Sequence, residues 1–175
     1  SRVIEFSNGE GLRPTASRVR ETLFNWLGQK LHDKRCLDLF AGSGALGFEA
    51  ASRGAAEVIL VENGRVAMQA LKKNQKKLAA AQCRLILADA LDFLAKRHNP
   101  FDIIFVDPPF GSGLMVPVLE QLAGHLAVDG VVYVEWGEPL STALSTAPKT
   151  RWQLLKQGKA GAVHFGLLSI AEGVT

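Results

Sequence analysis

The sequence predicts an α/β protein, doubly wound about a mostly parallel sheet. Three observations carry this. From Arg35 onward, short apolar runs alternate with stretches of helical length. The apolar runs, such as Cys36–Phe40, Val58–Val61 and Ile103–Val106, are continuous rather than alternating, as expected for strands covered on both faces. A glycine-rich turn follows the first of these runs and opens a helix.

The elements follow in order. Residues 2–14 contain Gly9, Gly11 and Pro14 and read as irregular, except that Val3, Ile4 and Phe6 can form a short strand. Thr15 or Ser17 can cap a helix running to about Lys30, with Val19, Leu23, Trp26 and Leu27 at helical spacing. After the strand Cys36–Phe40, a helix over Leu46–Ser52 is closed by Gly54. A strand at Val58–Val61 leads to a helix over Arg65–Ala80, with Val66, Ala70, Leu71 and Leu78 on one side. Leu85–Leu87 is a strand, Ala90–Lys96 a helix, and Ile103–Val106 a strand ending at Asp107-Pro108-Pro109. A helix over Leu114–Leu126 and a strand over Val131–Trp136 complete the alternation. The tail adds strands at 151–156 and 163–170, with no helix-length pattern between them.

A chain of 175 residues is the size of one domain, read as an N-terminal extension and helix (1–30) packed on a single globular unit (31–175). Its first residue is Ser, which is expected of a chain that begins inside a longer gene product. Hydrophobic residues make up 47% and charged residues 21%, a balance that can bury a core. No apolar stretch approaches the roughly 20 residues that span a bilayer, and no secretory start is visible; a cytoplasmic location is expected. Cys36 and Cys83 form no CxxC pair, and no nearby His completes a zinc pattern, so no metal is expected. Two unclustered thiols suit a reducing compartment. A net charge of +3 is compatible with a nucleic-acid partner without requiring one.

Ligands of doubly wound sheets bind at the carboxyl ends of the strands. The residues there are Gly42-Ser43-Gly44, Glu62, Asp89 and Asp107. Gly42, Gly44 and Gly47 match GxGxxG, and Glu62 follows about 20 residues on, a pattern shared by dinucleotide and S-adenosylmethionine sites. Asp38 and Phe40 precede the glycines. A carboxylate at Asp38 would repel the pyrophosphate that a dinucleotide sets on such a loop, but attract the sulfonium and ammonium of S-adenosylmethionine. Its plainer reading is a bond to the loop backbone. Glu62 can accept a vicinal ribose diol or stand as a solvated strand-end acid. Asp89 can accept an adenine amino group and is also a good N-cap for the next helix.

Asp107-Pro108-Pro109-Phe110 is the most specific feature. Two prolines stiffen the loop, and their nitrogens carry no hydrogen. An exocyclic amino group on a base is a poor nucleophile, because its lone pair is delocalised into the ring. The Asp107 carboxylate and the Pro108 carbonyl can accept its two N–H groups, and Phe110 can stack on the base. The alternative is a rigid turn with a core Phe. Methylation of a pyrimidine ring carbon would call for a Cys nucleophile at this loop, and Cys36 and Cys83 lie elsewhere.

With these residues in hand, the chain resembles the bacterial small-subunit ribosomal RNA guanine-N2 methyltransferases of the RsmD type over nearly all its length. The sharpest match is the segment from Gly11 to Leu27, above all Arg13-Pro14-Thr15; Asp38–Gly47, Glu62, Asp89 and Asp107–Phe110 match in order and spacing. The resemblance implies a Rossmann-like class I methyltransferase with a seven-stranded sheet whose last strand is antiparallel. It implies a target guanine in 16S rRNA, methylated at N2 in an assembled subunit, and Pro14 and Thr15 beside the methionine end of S-adenosylmethionine. A monomer is expected. Family members usually carry a longer basic segment before the position of Gly11, and often Thr-Asp where this chain has Ala16-Ser17.

Phosphate contacts are assigned to Arg13, Arg18 and Arg20. Lys72, Lys73, Lys76 and Lys77 read as a solvated helix face, while Lys149, Arg151, Lys156 and Lys159 form a further basic group near the end. His98 and His164 have no metal-partner spacing. Three other readings stand beside this one. An NAD-dependent oxidoreductase explains the glycines and Glu62 but leaves Asp38 and Asp107–Phe110 unexplained. A non-catalytic RNA-binding module leaves the intact loop without a purpose. An amino methyltransferase acting on adenine N6 or cytosine N4, in DNA or RNA, uses the same loop chemistry.

Overall fold

The computed structural model describes residues 3–6, 12–146 and 151–171, with side chains from residue 16 onward. In chain order the elements are β1 (Val3–Phe6), α1 (Leu12–Leu27), β2 (Arg35–Asp38), α2 (Ala45–Ser52), β3 (Glu57–Glu62), α3 (Arg65–Leu78), β4 (Cys83–Leu87), α4 (Ala90–Leu94), β5 (Phe101–Val106), α5 (Met115–Leu122), a 3-10 turn (Ala123–His125), β6 (Leu126–Trp136), α6 (Leu140–Thr146), β7 (Trp152–Ala160) and β8 (Val163–Ile170).

The strands form one sheet in the order β1-β7-β8-β6-β5-β2-β3-β4. Strands β2 to β6 pair in parallel. The last strand, β8, runs antiparallel to both β6 and β7. The expected seven strands are thus all present, and β1 adds an eighth at the edge, parallel to β7. The chain leaves β2 toward β3 and β4, and later returns on the other side of β2 with β5. Loops after β2 and β5 therefore diverge, which opens a crevice at the carboxyl ends of these two strands.

Residues of the central strands divide between two cores because successive side chains point to opposite faces. On one face Cys36, Val58, Leu60, Ile103, Phe105 and Tyr133 pack with α1, α2 and α3. On the other, Leu37, Ile59, Val61, Ile104, Val106, Val132 and Val134 pack with α4, α5 and α6. Phe101 joins the second core out of phase with Ile103, where the β5–β6 register shifts.

Several boundaries differ from the sequence expectation. α1 begins at Leu12, ahead of Thr15 and Ser17, with Pro14 inside its first turn, where a missing N–H costs no helical bond. It ends at Leu27 rather than Lys30, because Gly28 takes φ 95° and breaks the helix. On α3 the buried residues are Met68 and Leu71, whereas Val66 is 83% exposed and Leu78 58% exposed. That helix lies on the flank of the sheet and buries only a narrow stripe. The predicted helix over Leu114–Leu126 is shorter, and β6 begins at Leu126 rather than Val131. α6 has no counterpart in the sequence reading; it is short, and only Leu140 and Ala143 are buried. Cys83 is the first residue of β4 rather than a residue before it.

Phe105 sits at the centre of the first core, fully buried, with ring centroids 6.1 Å from Phe24 and 6.4 Å from Tyr133. Phe105→Ala should lower stability by about 3–5 kcal/mol, whereas Val66→Ala should stay within about 0.5 kcal/mol of the parent. Urea unfolding midpoints, at unchanged m, would separate the two.

Candidate active site

The glycine-rich turn between β2 and α2 is built by three distinct constraints. Gly42 takes φ 54° with open space where a Cβ would stand, so its bare backbone is open to a close-lying ligand. Gly44 takes φ 84°, and a Cβ there would overlap Phe48 and lie 2.7 Å from Leu71. At Gly47 a Cβ would lie 2.7 Å from Leu60, so the third glycine lets α2 approach β3. A cavity of about 350 Å³ opens over this turn, lined among others by Phe40, Gly42, Glu62, Asp89 and Asp107.

Asp38 forms the floor of that cavity and is 2% exposed. Its Oδ2 accepts the Gly47 N–H at 3.0 Å. The plain reading of a loop-bonding acid is therefore satisfied, yet the carboxyl remains short of positive charge. Burial, then the negative charges of Glu135 and Glu62, push its pKa up to about 7, against the opposing bonds from the Gly47 and Phe40 backbone.

Glu62 is a strut. Its Oε1 accepts the Gly42 N–H at 3.0 Å and its Oε2 accepts the Gly64 N–H at 2.7 Å. A carboxylate has about four acceptor sites, so two remain for a ligand. Asp89 caps α4, its Oδ1 accepting from Leu91 N at 2.9 Å and Asp92 N at 3.1 Å. Among the described residues its Oδ2 has no partner, and Asp89 lines the same cavity. Phe40 is half-buried against the second core and supplies an apolar wall.

The Asp107-Pro108-Pro109-Phe110 loop leaves the end of β5. Pro109 O accepts the Ser112 N–H at 3.1 Å, whereas the Pro108 carbonyl has no partner among the described residues. Phe110 is no core residue: it is 90% exposed, with the Cε2 edge of its ring against Gly137, where any Cβ would overlap it. A second cavity, of about 570 Å³, is lined by Asp107, Pro108, Phe110, Glu135 and Trp136, among others. Asp107 and Pro109 line both cavities. Asp107 is open to solvent on its cavity side, but the protein around it pushes its pKa up, through burial first and then the charges of Glu135 and Asp38.

Glu135 was not among the predicted site residues. It is the penultimate residue of β6, on the same sheet face as Tyr133, two positions earlier. The buried Tyr133 donates its hydroxyl hydrogen to Glu135 Oε1 at 2.6 Å. Burial raises the Glu135 pKa, opposed by hydrogen bonds with Tyr133 and Asp107 and by the charge of Arg20. Asp107 and Glu135 thus act directly on each other, so that their titrations belong to the pair. The rule that strand-end polar residues form the site would have found Glu135 had it been applied to β6 as well.

Of the predicted phosphate contacts, Arg18 is exposed and Arg20 is half-buried within electrostatic reach of Glu135. Arg13, Pro14 and Thr15 lie in the first turn of α1, and their side chains are outside the described residues, as is Lys149. α1 runs from Arg20, near Glu135, down to Trp26 and Leu27, which lie with Lys34 and Asp102 by the amino ends of β2 and β5. Its first turn therefore points to the carboxyl end of the sheet. The lysines of α3 are exposed on the flank. His98 stacks on Phe93 at 3.9 Å and bonds its carbonyl, a structural role. Burial raises the Cys36 thiol to about 12 and the Cys83 thiol to about 11, so neither is a ready nucleophile. Among the described residues no His, Cys, Asp or Glu cluster could hold a metal, and no helix is long and apolar enough to cross a membrane.

The family model described as Conserved hypothetical protein 95 matches residues 1–169. Ribosomal RNA small subunit methyltransferase D of Escherichia coli (strain K12) is 44% identical over 168 residues, covering 95% of this chain and 83% of that relative. The protein of the same name from Haemophilus influenzae is 42% identical over 168 residues, covering 91% and 84%. A solved chain from Escherichia coli superimposes with a TM-score of 0.79 at 45% identity, covering 91% of this chain and 88% of that one.

The buried acid at Asp38 gives a stability prediction with a definite sign. Its folded-state pKa of about 7 lies above the ordinary 3.8, so between these values the folded chain holds a proton that the unfolded chain has released. Stability therefore falls as pH rises through that window and stays reduced above it. Asp38→Asn, which keeps an acceptor for Gly47, should match the parent near pH 4 and exceed it at pH 8 by at most about 4 kcal/mol. Melting temperatures across pH 4–8 would show the difference widening; a constant difference would contradict the assignment.

Proposed function

We propose, from the premise that this chain belongs to the Conserved hypothetical protein 95 family, that of ribosomal RNA small subunit methyltransferase D, that it methylates a base of small-subunit ribosomal RNA with S-adenosylmethionine as donor. The finer reading is the exocyclic N2 of a guanine in 16S rRNA. The observation that carries it is that Asp107 and Pro109 line both cavities, one holding the glycine turn and its acids, the other the exposed Phe110. A donor and an acceptor base could meet only at such a junction.

The residues present fit the donor. The first cavity is lined by Asp38, Glu62, Asp89 and Asp107, and the charges acting on Asp38 are those of other acids, surroundings that a cationic sulfonium and ammonium would relieve. A pyrophosphate would add to the same repulsion, which counts against the dinucleotide reading. When bound, S-adenosylmethionine supplies a methyl group on a cationic sulfur. Asp38 offsets positive charge beneath the turn, the remaining lone pairs of Glu62 accept the ribose diol, and Asp89 Oδ2 accepts the adenine amino group. Gly42 and Gly44 admit the ligand to the backbone, and Phe40 covers an apolar face. Pro14 and Thr15 are assigned to the methionine end on the resemblance.

On the other side, Asp107 and the unpartnered Pro108 carbonyl accept the N–H groups of the target amine and orient its lone pair. Phe110 offers its free ring face to the base. Asp107 is placed to take the proton that the amine loses. Arg13, Arg18 and Arg20 meet phosphates, with Arg20 also moderating the charge of Glu135. We assign the enzyme to the cytoplasm, as a monomer acting on an assembled small subunit.

The test is labelled methyl transfer to small subunits lacking their guanine-N2 methylation, followed by digestion to nucleosides. N2-methylguanosine is expected. Asp107→Ala should cut transfer by a factor on the order of 100 or more, with S-adenosylhomocysteine affinity within a few-fold. Glu62→Ala should instead weaken that affinity, on the order of tenfold. Transfer by Asp107→Ala at the parent rate would remove Asp107 from its role; a product methylated on adenine N6 or cytosine N4 would replace the substrate.

A further inference from the structure

We propose that Glu135, held by Tyr133, selects guanine by accepting its N1–H while Asp107 accepts at the neighbouring N2. The inference rests on the guanine-N2 reading and deepens it. It begins with placement. Glu135 and Asp107 both line the cavity that Phe110 borders, on neighbouring strand ends, and their carboxyl groups act directly on each other. Tyr133, anchored in the core, donates to Oε1 at 2.6 Å and fixes the carboxylate on β6, a rigid element rather than a loop. That bond uses one acceptor site and leaves the others available.

The chemistry of the three amino-bearing bases then decides. Guanine presents N1–H beside its exocyclic N–H groups, an unbroken row of donors. Adenine and cytosine present an amino group beside a ring nitrogen that carries a lone pair. An ionised carboxylate only accepts, so it pairs with guanine N1–H and repels the ring lone pair of the other two. One acid beside the amine serves all three bases. A second acid beside the first serves guanine alone. A donor row set against both carboxylates also relieves the repulsion of Glu135 on Asp107. Burial raises the Glu135 pKa, and the Tyr133 hydrogen bond, then Arg20 on the helix packed over the same sheet face, oppose that rise in favour of the accepting form.

The experiment compares small subunits assembled with 16S rRNA carrying either guanine or 2-aminopurine at the methylated position. 2-Aminopurine keeps the 2-amino group, but its N1 is an acceptor without hydrogen. The parent protein should prefer guanine in kcat/KM by a factor on the order of 10 to 100. Glu135→Gln, whose amide can donate to N1, should shrink or invert that preference, read as the ratio of kcat/KM on the two bases so that any change in cofactor affinity cancels. Tyr133→Phe, which keeps the buried ring but frees Glu135, should reduce the preference in part. Loss of activity toward both bases to the same degree, with the preference intact, overturns the role of Glu135 and leaves guanine-N2 methylation standing. Absence of N2-methylguanosine from the parent protein on guanine subunits overturns both.

Discussion

The hydrogen bond from the Gly47 N–H to the buried Asp38 carboxylate ties the helix after the glycine turn to the end of the central strand. It sets the turn at the switch point of the sheet, where loops after β2 and β5 part. Gly47 can sit this close only because it has no Cβ, and Leu60 fills the space beside it. The same closeness keeps water from Asp38, so the acid is held near neutrality in the free protein. Packing and charge are here one constraint: the tight joint that builds the turn also creates an acid in need of a cation.

Around that joint the molecule gathers acids from several strand ends. Asp38 ends β2, Glu62 ends β3, Asp107 follows β5 and Glu135 lies near the end of β6. Three of them are held by partners of their own, the backbone amides of Gly47 for Asp38, of Gly42 and Gly64 for Glu62, and the Tyr133 hydroxyl for Glu135. Burial raises the pKa of all three of Asp38, Asp107 and Glu135, and the charge of Glu135 adds to the rise at Asp38 and at Asp107. Such a set costs folding stability, and its retention at one end of the sheet is understandable if ligands supply the missing positive charge and donors. The two cavities share Asp107 and Pro109 as a common wall.

The helices on the two faces contribute unequally to this site. α1 lies over Phe105 and Tyr133 through Val19, Leu23 and Phe24, and so brings Arg20 near Glu135 and its own first turn to the carboxyl end of the sheet. α4 enters the site through its cap, Asp89, whose one carboxylate oxygen is spent on the helix and whose other is left for a ligand. α5 and α6 cover the second core, and the N-cap residue of α5, Leu114, lines the first cavity.

Much of this was legible in the chain itself. Continuous apolar runs announce strands covered on both faces, because no other arrangement hides Val58–Val61 or Ile103–Val106 completely. Local chemistry also announces the glycine turn, the acids at Asp38, Glu62 and Asp89, and the stiff Asp107–Phe110 loop, since each follows a strand within a few residues. What depends on distant partners was not legible. Val66 and Leu78 share a plausible apolar side of α3, but only the position of that helix on the flank of the sheet leaves them in water. The exposure of Phe110 is set by Gly137, some distance along the chain. Glu135 meets Asp107 because β5 and β6 pair in parallel and end together, and its carboxylate is fixed by a tyrosine buried beneath α1. Spacing within the chain determined which residues reach the end of the sheet; long-range strand pairing and helix packing decided which of them face one another, because both place residues by contacts that sequence neighbours do not share.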